Sequence, residues 1–398
     1  MHESGINQDN AQKMNRELVL KLLRKHTVCT RTELARLTGL KPATITNIIS
    51  EFQRLDIVRE IGPVSEGKGR NAIQLALNPS VYSVAGIRLA RKYLIVGAFD
   101  VRGEELNDEW YSIDPWMTPE DVLEVMKTYL YKAINEWTDG NVKAIGCAVP
   151  GPFLRREGKV AMMTGFPAWH HIDIQAALEK EFGVPVFMEH DANAGALAYY
   201  WRHGTELRQT LVYMAVGQGV GAGIVRDGAL YTGALGVAGE IGHMSIHYKG
   251  RYCECGSRGC LEAYCSSLTF IKEVQRKIRE GNYSTLDADC SFLKIAQAVR
   301  NGDRLAREEY RKACELLAVG IINVINILNP DIIVLDDEMA AVSQEILRDS
   351  LERVTKPAVL PEVWENLEIV MGDGTQESVL QGAALMAIDN ILQNPPVK

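Results

Sequence analysis

The sequence has 398 residues, of which 46% are hydrophobic and 24% are charged. This length favours two or three domains, and the composition is that of an ordinary globular protein. The N-terminus is polar and lacks the basic and apolar regions of a secretory signal. Polar residues and a proline interrupt the most apolar stretch, residues 316–335, which excludes a membrane span of about 20 apolar residues. We therefore expect a cytoplasmic protein.

The net charge of −8 conceals an asymmetry between the two ends of the chain. Residues 1–78 contain 12 basic and 8 acidic side chains, whereas residues 79–398 contain 31 basic and 43 acidic ones. A small basic segment is thus joined to a larger acidic one. Because lysine and arginine replace the counterions of nucleic-acid phosphates, double-stranded DNA is the expected partner of the N-terminal segment.

Three helices are predicted in this basic segment. Leucines at helical spacing predict a first helix over about residues 15–26. Thr30 and Glu33 form a capping-box pattern that begins a second helix, and Gly39 suits its end. A third helix starts near Pro42, which fits a first turn. Its apolar stripe comprises Ile45, Ile48, Ile49, Phe52 and Leu55.

The second and third helices, joined by a short turn at Gly39, predict a helix-turn-helix. The third helix presents small polar side chains opposite its apolar stripe. Asparagine can pair with adenine, threonine can contact a thymine methyl group, and lysine can neutralise phosphate. The candidate DNA-binding residues on this helix are Lys41, Thr44, Thr46 and Asn47, with Ser50 beside them.

A wing is predicted after the third helix. Two alternating, strand-like runs at residues 57–61 and 72–77 flank a glycine-rich segment, residues 62–71, which carries Lys68 and Arg70. A basic tip of this kind suits the negative potential of a DNA minor groove. The alternative is a three-helix bundle that binds another protein, with Lys68 and Arg70 simply solvated.

The predicted wing can be tested by substituting Arg70. We expect Arg70→Ala to weaken operator binding and to flatten its salt dependence, because one contact with the polyanion is lost. Fluorescence anisotropy of a labelled duplex over a series of salt concentrations measures both quantities. An unchanged salt slope would remove the wing from the DNA interface.

Beyond residue 78, strand-like runs alternate with long helical stretches. This alternation predicts an α/β domain. The predicted strands lie at residues 94–99, 144–149, 184–188, 211–216, 332–335 and 367–371.

A cysteine cluster lies within the second half of this region. In a cytoplasmic chain such clustering favours a metal site over disulfides. Three thiolates and one imidazole complete a tetrahedral zinc site, with the predicted ligands His243, Cys253, Cys255 and Cys260. Cys265 is an alternative fourth ligand or a buried thiol, and free core cysteines are the alternative for the whole cluster. Because a closed four-ligand site has no open position for an activated water, we expect the zinc to be structural.

The spacing around this cluster is specific. Glu240-x-x-His243, followed after nine residues by Cys-x-Cys-Gly-x-x-Gly-Cys-x-Glu, resembles the ROK family of repressors, open reading frames and sugar kinases. The N-terminal segment further resembles the repressor branch of this family, which includes N-acetylglucosamine and xylose repressors. The resemblance implies a winged helix-turn-helix over residues 1–78 and an actin-like, two-lobed domain of the sugar-kinase type over residues 79–398. The first lobe would comprise about residues 79–195 and a C-terminal helix at about 376–393, and the second about 196–375 with the zinc site.

The same resemblance implies a sugar site. Carboxylates accept hydrogen bonds from vicinal hydroxyls, and zinc would orient the ring of His243 toward the ligand. The alternative is that Asp191 and Glu240 are helix caps or ion-pair partners. Two departures from the family pattern occur, because Phe166 lies near the place of one family asparagine and His190 replaces another. The implied sugar-binding residues are His190, Asp191, Glu240, His243 and Glu262.

The nucleotide site departs further from the family pattern. Family kinases begin the domain with an Asp-x-Gly-Gly-Thr loop, in which glycines approach phosphate and the aspartate positions magnesium. Here residues 86–92 read Gly-Ile-Arg-Leu-Ala-Arg-Lys, and Asp336 and Asp337 stand where the family has an adenosine-binding glycine pair. Only the glycine-rich loop of residues 217–223 is retained, and a tight turn between strands explains it equally well. We therefore expect no ATP binding and no enzyme activity.

These observations predict a sugar-responsive repressor of carbohydrate-utilisation genes, acting as a homodimer or homotetramer on a DNA operator. One alternative is an active sugar kinase with a regulatory DNA-binding head. Another is a zinc-braced interaction module without a ligand. The sequence does not specify the sugar, its phosphorylation, the operator or the direction of the response.

Overall fold

The structure is a computed structural model, and it describes residues 8–64, 72–114, 116–151, 153–154, 159–160, 172–203, 209–372 and 377–393. Within these ranges the strands form one three-stranded sheet, two five-stranded sheets and a two-stranded ribbon. Among the helices described, none combines the length and the apolar character needed to cross a membrane.

The N-terminal module is a three-helix unit with a small antiparallel sheet of order β1-β3-β2. Its elements in chain order are α1 (Gln8–His26), β1 (Cys29–Thr30), α2 (Arg31–Thr38), α3 (Pro42–Arg54), β2 (Val58–Val64) and β3 (Ala72–Leu77).

Local sequence signals explain the helices of this module. The predicted capping box is confirmed, because the Thr30 hydroxyl accepts from the Glu33 amide at 3.2 Å and the Glu33 carboxylate accepts from the Thr30 amide at 2.7 Å. Gly39 ends α2 in the left-handed conformation, with φ of 70°. The apolar stripe of α3 is buried as predicted at Ile45, Ile48, Ile49 and Phe52.

Three boundaries differ from prediction. The first helix begins at Gln8 and not near residue 15, because its first two turns are polar and carry no apolar stripe to reveal them. Strand β2 continues to Val64, three residues into the predicted wing, past an irregularity in its pairing between Glu60 and Gly62. The unpredicted β1 pairs with β3 through only two residues, too few for a periodic signal.

The next part of the chain builds the first five-stranded sheet, of order β10-β7-β4-β5-β6. Its elements are β4 (Ser83–Leu89), β5 (Tyr93–Asp100), β6 (Glu105–Ser112), α4 (Pro119–Lys132), β7 (Val142–Val149), β8 (Phe153–Leu154), β9 (Lys159–Val160), α5 (Ile174–Phe182), β10 (Val186–His190) and α6 (Asp191–His203). A π-helical turn, Ala133–Trp137, follows α4.

The second five-stranded sheet has the order β13-β12-β11-β14-β15. Short turns of other helix types occur at Ile241–His243, Leu351–Thr355 and Lys356–Ala358. The strands and α-helices are β11 (Thr210–Val216), β12 (Val220–Arg226), β13 (Ala229–Leu230), α7 (Glu262–Cys265), α8 (Ser267–Arg279), α9 (Phe292–Arg300), α10 (Arg304–Leu328), β14 (Ile332–Asp336), α11 (Gln344–Ser350), α12 (Pro361–Asn366), β15 (Glu368–Met371) and α13 (Glu377–Gln393).

The two large sheets have the same topology. In each, an antiparallel meander of three strands (β4-β5-β6 or β11-β12-β13) is extended from its first strand by two parallel strands (β7 and β10, or β14 and β15). This repeated arrangement is the predicted actin-like, two-lobed α/β fold, preceded by the winged helix-turn-helix. Each of the six predicted strand runs matches an observed strand to within two residues, but β4, β6, β12 and β13 were not predicted.

Helices α6 and α13 pack against each other beside the first sheet. Helix α6 packs on α13 so closely that a Cβ atom at Gly382 would lie 1.9 Å from the Ala194 carbonyl oxygen. Helix α13 approaches strand β7 equally closely, since a Cβ atom at Gly146 would lie 1.9 Å from the Ala383 carbonyl oxygen. Backbone contact at these glycines holds α6, α13 and the first sheet together as one packed unit.

Candidate functional site

A polar cleft of about 650 Å³ is lined by residues from both five-stranded sheets. This volume includes space that is open to solvent. Five carboxylates and two guanidinium groups face it. The titratable lining residues are Arg88, Arg91, Tyr93, His190, Asp191, Glu240, His243, Glu262, Asp337 and Glu338.

One wall of the cleft is the junction between β10 and α6. Strand β10 ends at His190 and α6 begins at Asp191, so both side chains are carried on rigid elements. The Asp191 carboxylate accepts from the Ala192 amide at 2.7 Å and lies 3.2 Å from Nε2 of His190. A carboxylate at a helix N-terminus is stabilised by the helix dipole. These contacts hold the Asp191 carboxylate in one position within the cleft.

The opposite wall carries Glu240, His243 and Glu262. Nε2 of His243 lies 4.0 Å from a Glu240 carboxylate oxygen. Burial raises the pKa of Glu240, against the opposing effects of His190 and His243. One Glu262 oxygen accepts from the Val220 amide at 2.9 Å, and the other lies 3.5 Å from Arg91. The structure thus brings all five residues of the predicted sugar site to one cleft, although they come from three separate segments.

The predicted metal ligands also converge. The ligand atoms of His243, Cys253, Cys255 and Cys260 all lie within 4.8 Å of one another. Nδ1 of His243 is 3.7 Å from the Cys253 sulfur, and the sulfurs of Cys255 and Cys260 are 3.6 Å apart. Three thiols and one imidazole form a donor set that fits a tetrahedral metal site. Cys265 lies apart and donates from its buried thiol to the Ala313 carbonyl.

The cluster and the cleft share His243. Its Nδ1 faces Cys253 in the metal cluster, whereas its Nε2 faces Glu240 in the cleft. Gly259 permits the tight loop, with φ of 72°, and a Cβ atom there would lie 1.9 Å from the His247 carbonyl oxygen. A metal ion bound to Nδ1 would therefore fix the ring orientation that the cleft uses.

The stretch around Arg88, which the sequence resemblance compares with a phosphate loop, is a buried strand. Residues 83–89 form strand β4, and the Arg88 side chain, 3% exposed, donates to Asp337 at 3.0 Å. The neighbouring Asp336 accepts from the Tyr213 hydroxyl at 2.9 Å. Buried charges of this kind are stable only with such partners. Arg88, Asp336 and Asp337 thus interact with the protein's own side chains.

The retained glycine-rich loop is explained by the same packing. A Cβ atom at Gly217 would lie 2.6 Å from the Asp337 carboxylate, and one at Gly219 would lie 2.8 Å from the Glu262 carboxylate. At Gly221 it would lie 2.9 Å from the His190 ring. The loop needs glycine here to admit these side chains, so its composition does not require a nucleotide.

Glu338 is a further carboxylic acid that lines the cleft. Glu338 accepts a hydrogen bond from the Ser267 hydroxyl. Burial raises the pKa of Glu338 to about 7, although this hydrogen bond opposes the increase. Sequence reasoning did not identify Glu338 or Ser267, because no local motif links positions 71 residues apart.

The predicted DNA-binding residues of α3 occupy its exposed side. Lys41, Thr46 and Asn47 are exposed and Thr44 is partly buried. The Thr46 hydroxyl donates to the Pro42 carbonyl at 2.9 Å, which leaves its methyl group and its acceptor capacity outward. Lys68 and Arg70 lie outside the described residues, as does Phe166.

Comparison with known proteins extends over the whole chain. The sequence model described as "ROK family" matches residues 84–390. The chain is 27% identical to the xylose repressor of Caldicellulosiruptor bescii, over 96% of this chain and 98% of that protein. A crystal structure of a ROK family transcriptional regulator, a homolog of the E. coli MLC protein, matches with a TM-score of 0.80 and 28% identity, covering 96% and 97% of the two chains. The ROK hexokinase of Thermus thermophilus matches with a TM-score of 0.63 and 26% identity, covering 78% of this chain and 99% of the hexokinase.

Proposed function

The chain belongs to the ROK family, and we propose that it is a sugar-responsive, DNA-binding transcriptional repressor of carbohydrate-utilisation genes. The observation that carries this proposal is that a winged helix-turn-helix and a cleft lined by hydroxyl-binding side chains are joined through one continuous apolar core. Similarity to a xylose repressor and to a ROK transcriptional regulator over nearly the whole chain supports it.

The effector is a sugar or a sugar derivative held by His190, Asp191, Glu240, His243 and Glu262. Carboxylates accept hydrogen bonds from two hydroxyls at once, and the imidazole of His243 adds a directional partner. These side chains lie on both walls of the cleft, so a bound sugar favours one closure of the two lobes over others.

On DNA, the exposed residues of α3 read the operator and the wing contacts its backbone or minor groove. The assigned contacts are Lys41, Thr44, Thr46, Asn47, Lys68 and Arg70. Because half-sites one helical turn or more apart require two such modules, the protein acts as a homodimer or homotetramer.

The metal is a structural zinc ion held by His243, Cys253, Cys255 and Cys260. Four protein donors complete its tetrahedral shell and leave no position for a reacting water. The ion links the loop to the cleft by orienting His243.

Kinase activity has been lost in this proposal. A nucleoside triphosphate would have to displace Asp337 from Arg88, and the carboxylates that line the cleft, among them Asp191 and Glu338, would repel its phosphates. The active-kinase alternative is favoured by one observation, the similarity to a ROK hexokinase. Turnover of ATP with any hexose or pentose would establish that alternative.

A thermal-shift screen of sugars and sugar phosphates tests the proposal, because a ligand that binds only the folded state raises the melting temperature. The operator is selected from a randomised duplex library, and its affinity is measured with and without each stabilising sugar. We expect at least one sugar to raise the melting temperature and to change the duplex affinity. Stabilisation by no sugar would favour the interaction-module alternative and overturn the proposal.

A further inference from the structure

A buried arginine adds a polar contact to the apolar core that joins the DNA-binding module to the rest of the chain. The guanidinium carbon of Arg24, near the end of α1, lies 4.1 Å from the ring centroid of Trp201 in α6. The same guanidinium is ion-paired with Asp389 of α13, and the Arg24 side chain is only 7% exposed. Lys21 also lies 5.2 Å from the Trp201 ring. We call Arg24, Trp201 and Asp389 the joint.

The hydrogen-bonding capacity of the joint is only partly used. Among the described residues, Nε and one terminal nitrogen of Arg24 and Nε1 of Trp201 have no hydrogen-bond partner. Burying a charge with so few partners is costly, whereas apolar residues of similar size would fill the same space without this cost. The arrangement is therefore better suited to defining a relative position than to increasing stability. The arginine retains its two partners only while the module stays in register with α6 and α13.

Helix α6 connects the joint to the cleft. It begins at Asp191, which lines the cleft, and Trp201 follows ten residues later, about 15 Å along the helix. Helix α13 is pressed against α6 at Gly382, with no room for a Cβ atom. A displacement of the cleft end of α6 therefore moves Trp201 and Asp389 together.

We propose that the joint sets the orientation of the DNA-binding module, and that α6 transmits movement at the cleft to it. The role of the joint in orientation stands on the contacts of Arg24 alone. The transmission deepens the proposed function and rests on it, since it requires a ligand in the cleft. If a ligand in the cleft shifts α6 between two positions, and the module follows, the cleft and the DNA-binding surface are allosterically coupled through α6.

Double electron-electron resonance tests the orientation. Arg36 in the module and Glu124 in α4, both exposed, are each replaced by p-acetylphenylalanine and labelled with a nitroxide, which leaves the native cysteines unmodified. We expect Arg24→Met to broaden the distance distribution about twofold or more, because the module samples further orientations. A distribution identical to that of the unsubstituted protein would overturn the proposal.

The matched control is Arg31→Met. Arg31 begins α2 and pairs with Glu60 of β2, inside the module. It should leave the distance distribution unchanged, so that broadening by both variants would show general loosening and refute a specific joint. Two variants serve if Arg24→Met does not fold, namely Asp389→Asn, which preserves side-chain shape, and Trp201→Phe, which keeps a smaller aromatic ring. Both should broaden the distribution.

The transmission is tested by the ratio of duplex dissociation constants with and without sugar. D-xylose, D-glucose and N-acetyl-D-glucosamine are used in turn with the selected duplex. We expect the ratio in the unsubstituted protein to differ from one by about fivefold or more, and to fall toward one in Asp389→Asn and Trp201→Phe. An unchanged ratio in these variants would overturn the transmission. No response of the unsubstituted protein to any of the sugars would count against the proposed function, while the resonance experiment would still decide on the joint.

Discussion

Replacing Cys255 by serine should leave the protein without the proposed zinc ion and lower its melting temperature by about 3 to 5 °C. A serine hydroxyl does not ionise at neutral pH and cannot replace a thiolate donor. The free energy of metal binding contributes to folding, and a loss of about 3 kcal/mol corresponds to this shift at about 1 to 1.5 °C per kcal/mol for a chain of this length. Elemental analysis by mass spectrometry gives the zinc content, and differential scanning calorimetry gives the melting temperature.

Cys265→Ser is the matched control for this experiment. Cys265 lies beside the cluster in sequence, but its buried thiol interacts with the Ala313 carbonyl. This variant should keep one zinc ion per chain, even if its buried hydroxyl costs some stability. Loss of zinc from Cys265→Ser, or full zinc occupancy in Cys255→Ser, would show that the ligand assignment is wrong.

Removing the metal by chelation should also abolish the sugar response. Without the ion, the ring of His243 loses the partner of its Nδ1 atom and with it the orientation of Nε2 toward the cleft. The comparison is sugar-dependent duplex binding before and after treatment with a chelator. A full response from metal-free protein would separate the zinc site from the sensing cleft.

Asp191→Asn should weaken sugar binding about 10- to 100-fold, equivalent to about 1.4 to 2.8 kcal/mol. The amide keeps the shape of the carboxylate and is an equally good residue at a helix N-terminus. It lacks the negative charge, so the charge-assisted hydrogen bonds to hydroxyls are lost. Isothermal titration calorimetry with the sugar found in the thermal-shift screen measures the change. Duplex binding without sugar should stay within about twofold of the unsubstituted protein, and the change in duplex affinity caused by sugar should require correspondingly more ligand.

The control for this variant is Asp173→Asn, another acid at the start of a helix. Its side chain is exposed, accepts from the Ala176 amide at 2.9 Å and does not line the cleft. Sugar affinity should be unaffected in this variant. If Asp191→Asn also bound sugar with unchanged affinity, Asp191 would be a structural cap and not a ligand.

Local chemistry made several elements predictable. The capping box of Thr30 and Glu33, the turn at Gly39 and the stripe of α3 each depend on residues within one or two helical turns of one another. The spacing from Glu240 to the last ligand cysteine indicated the ROK family, and the family match confirms it. These signals depend on residues that are close in the chain, so they can be recognised in the sequence without knowledge of any tertiary contact.

Other features could not be predicted from local patterns. The stretch around Arg88 was compared with a phosphate loop, but it is a buried strand whose arginine pairs with Asp337, 249 residues away. The glycines of residues 217–223 had two possible explanations in the sequence, a nucleotide-binding loop or a tight turn between strands. Only the structure showed that carboxylates and a histidine ring occupy the space above them.

By itself the sequence determined the helix-turn-helix, the α/β character of the larger domain, the identity of the metal-ligand candidates and membership of the ROK family. Tertiary structure alone decided that His190, Asp191, Glu240, His243 and Glu262 line one cleft, and that Arg24 is buried between Trp201 and Asp389. The physical reason is the separation along the chain of the residues that interact. Helix caps, apolar stripes and ligand spacings act between neighbours in the chain, whereas a cleft and a joint are made by packing elements that the chain separates by tens to hundreds of residues.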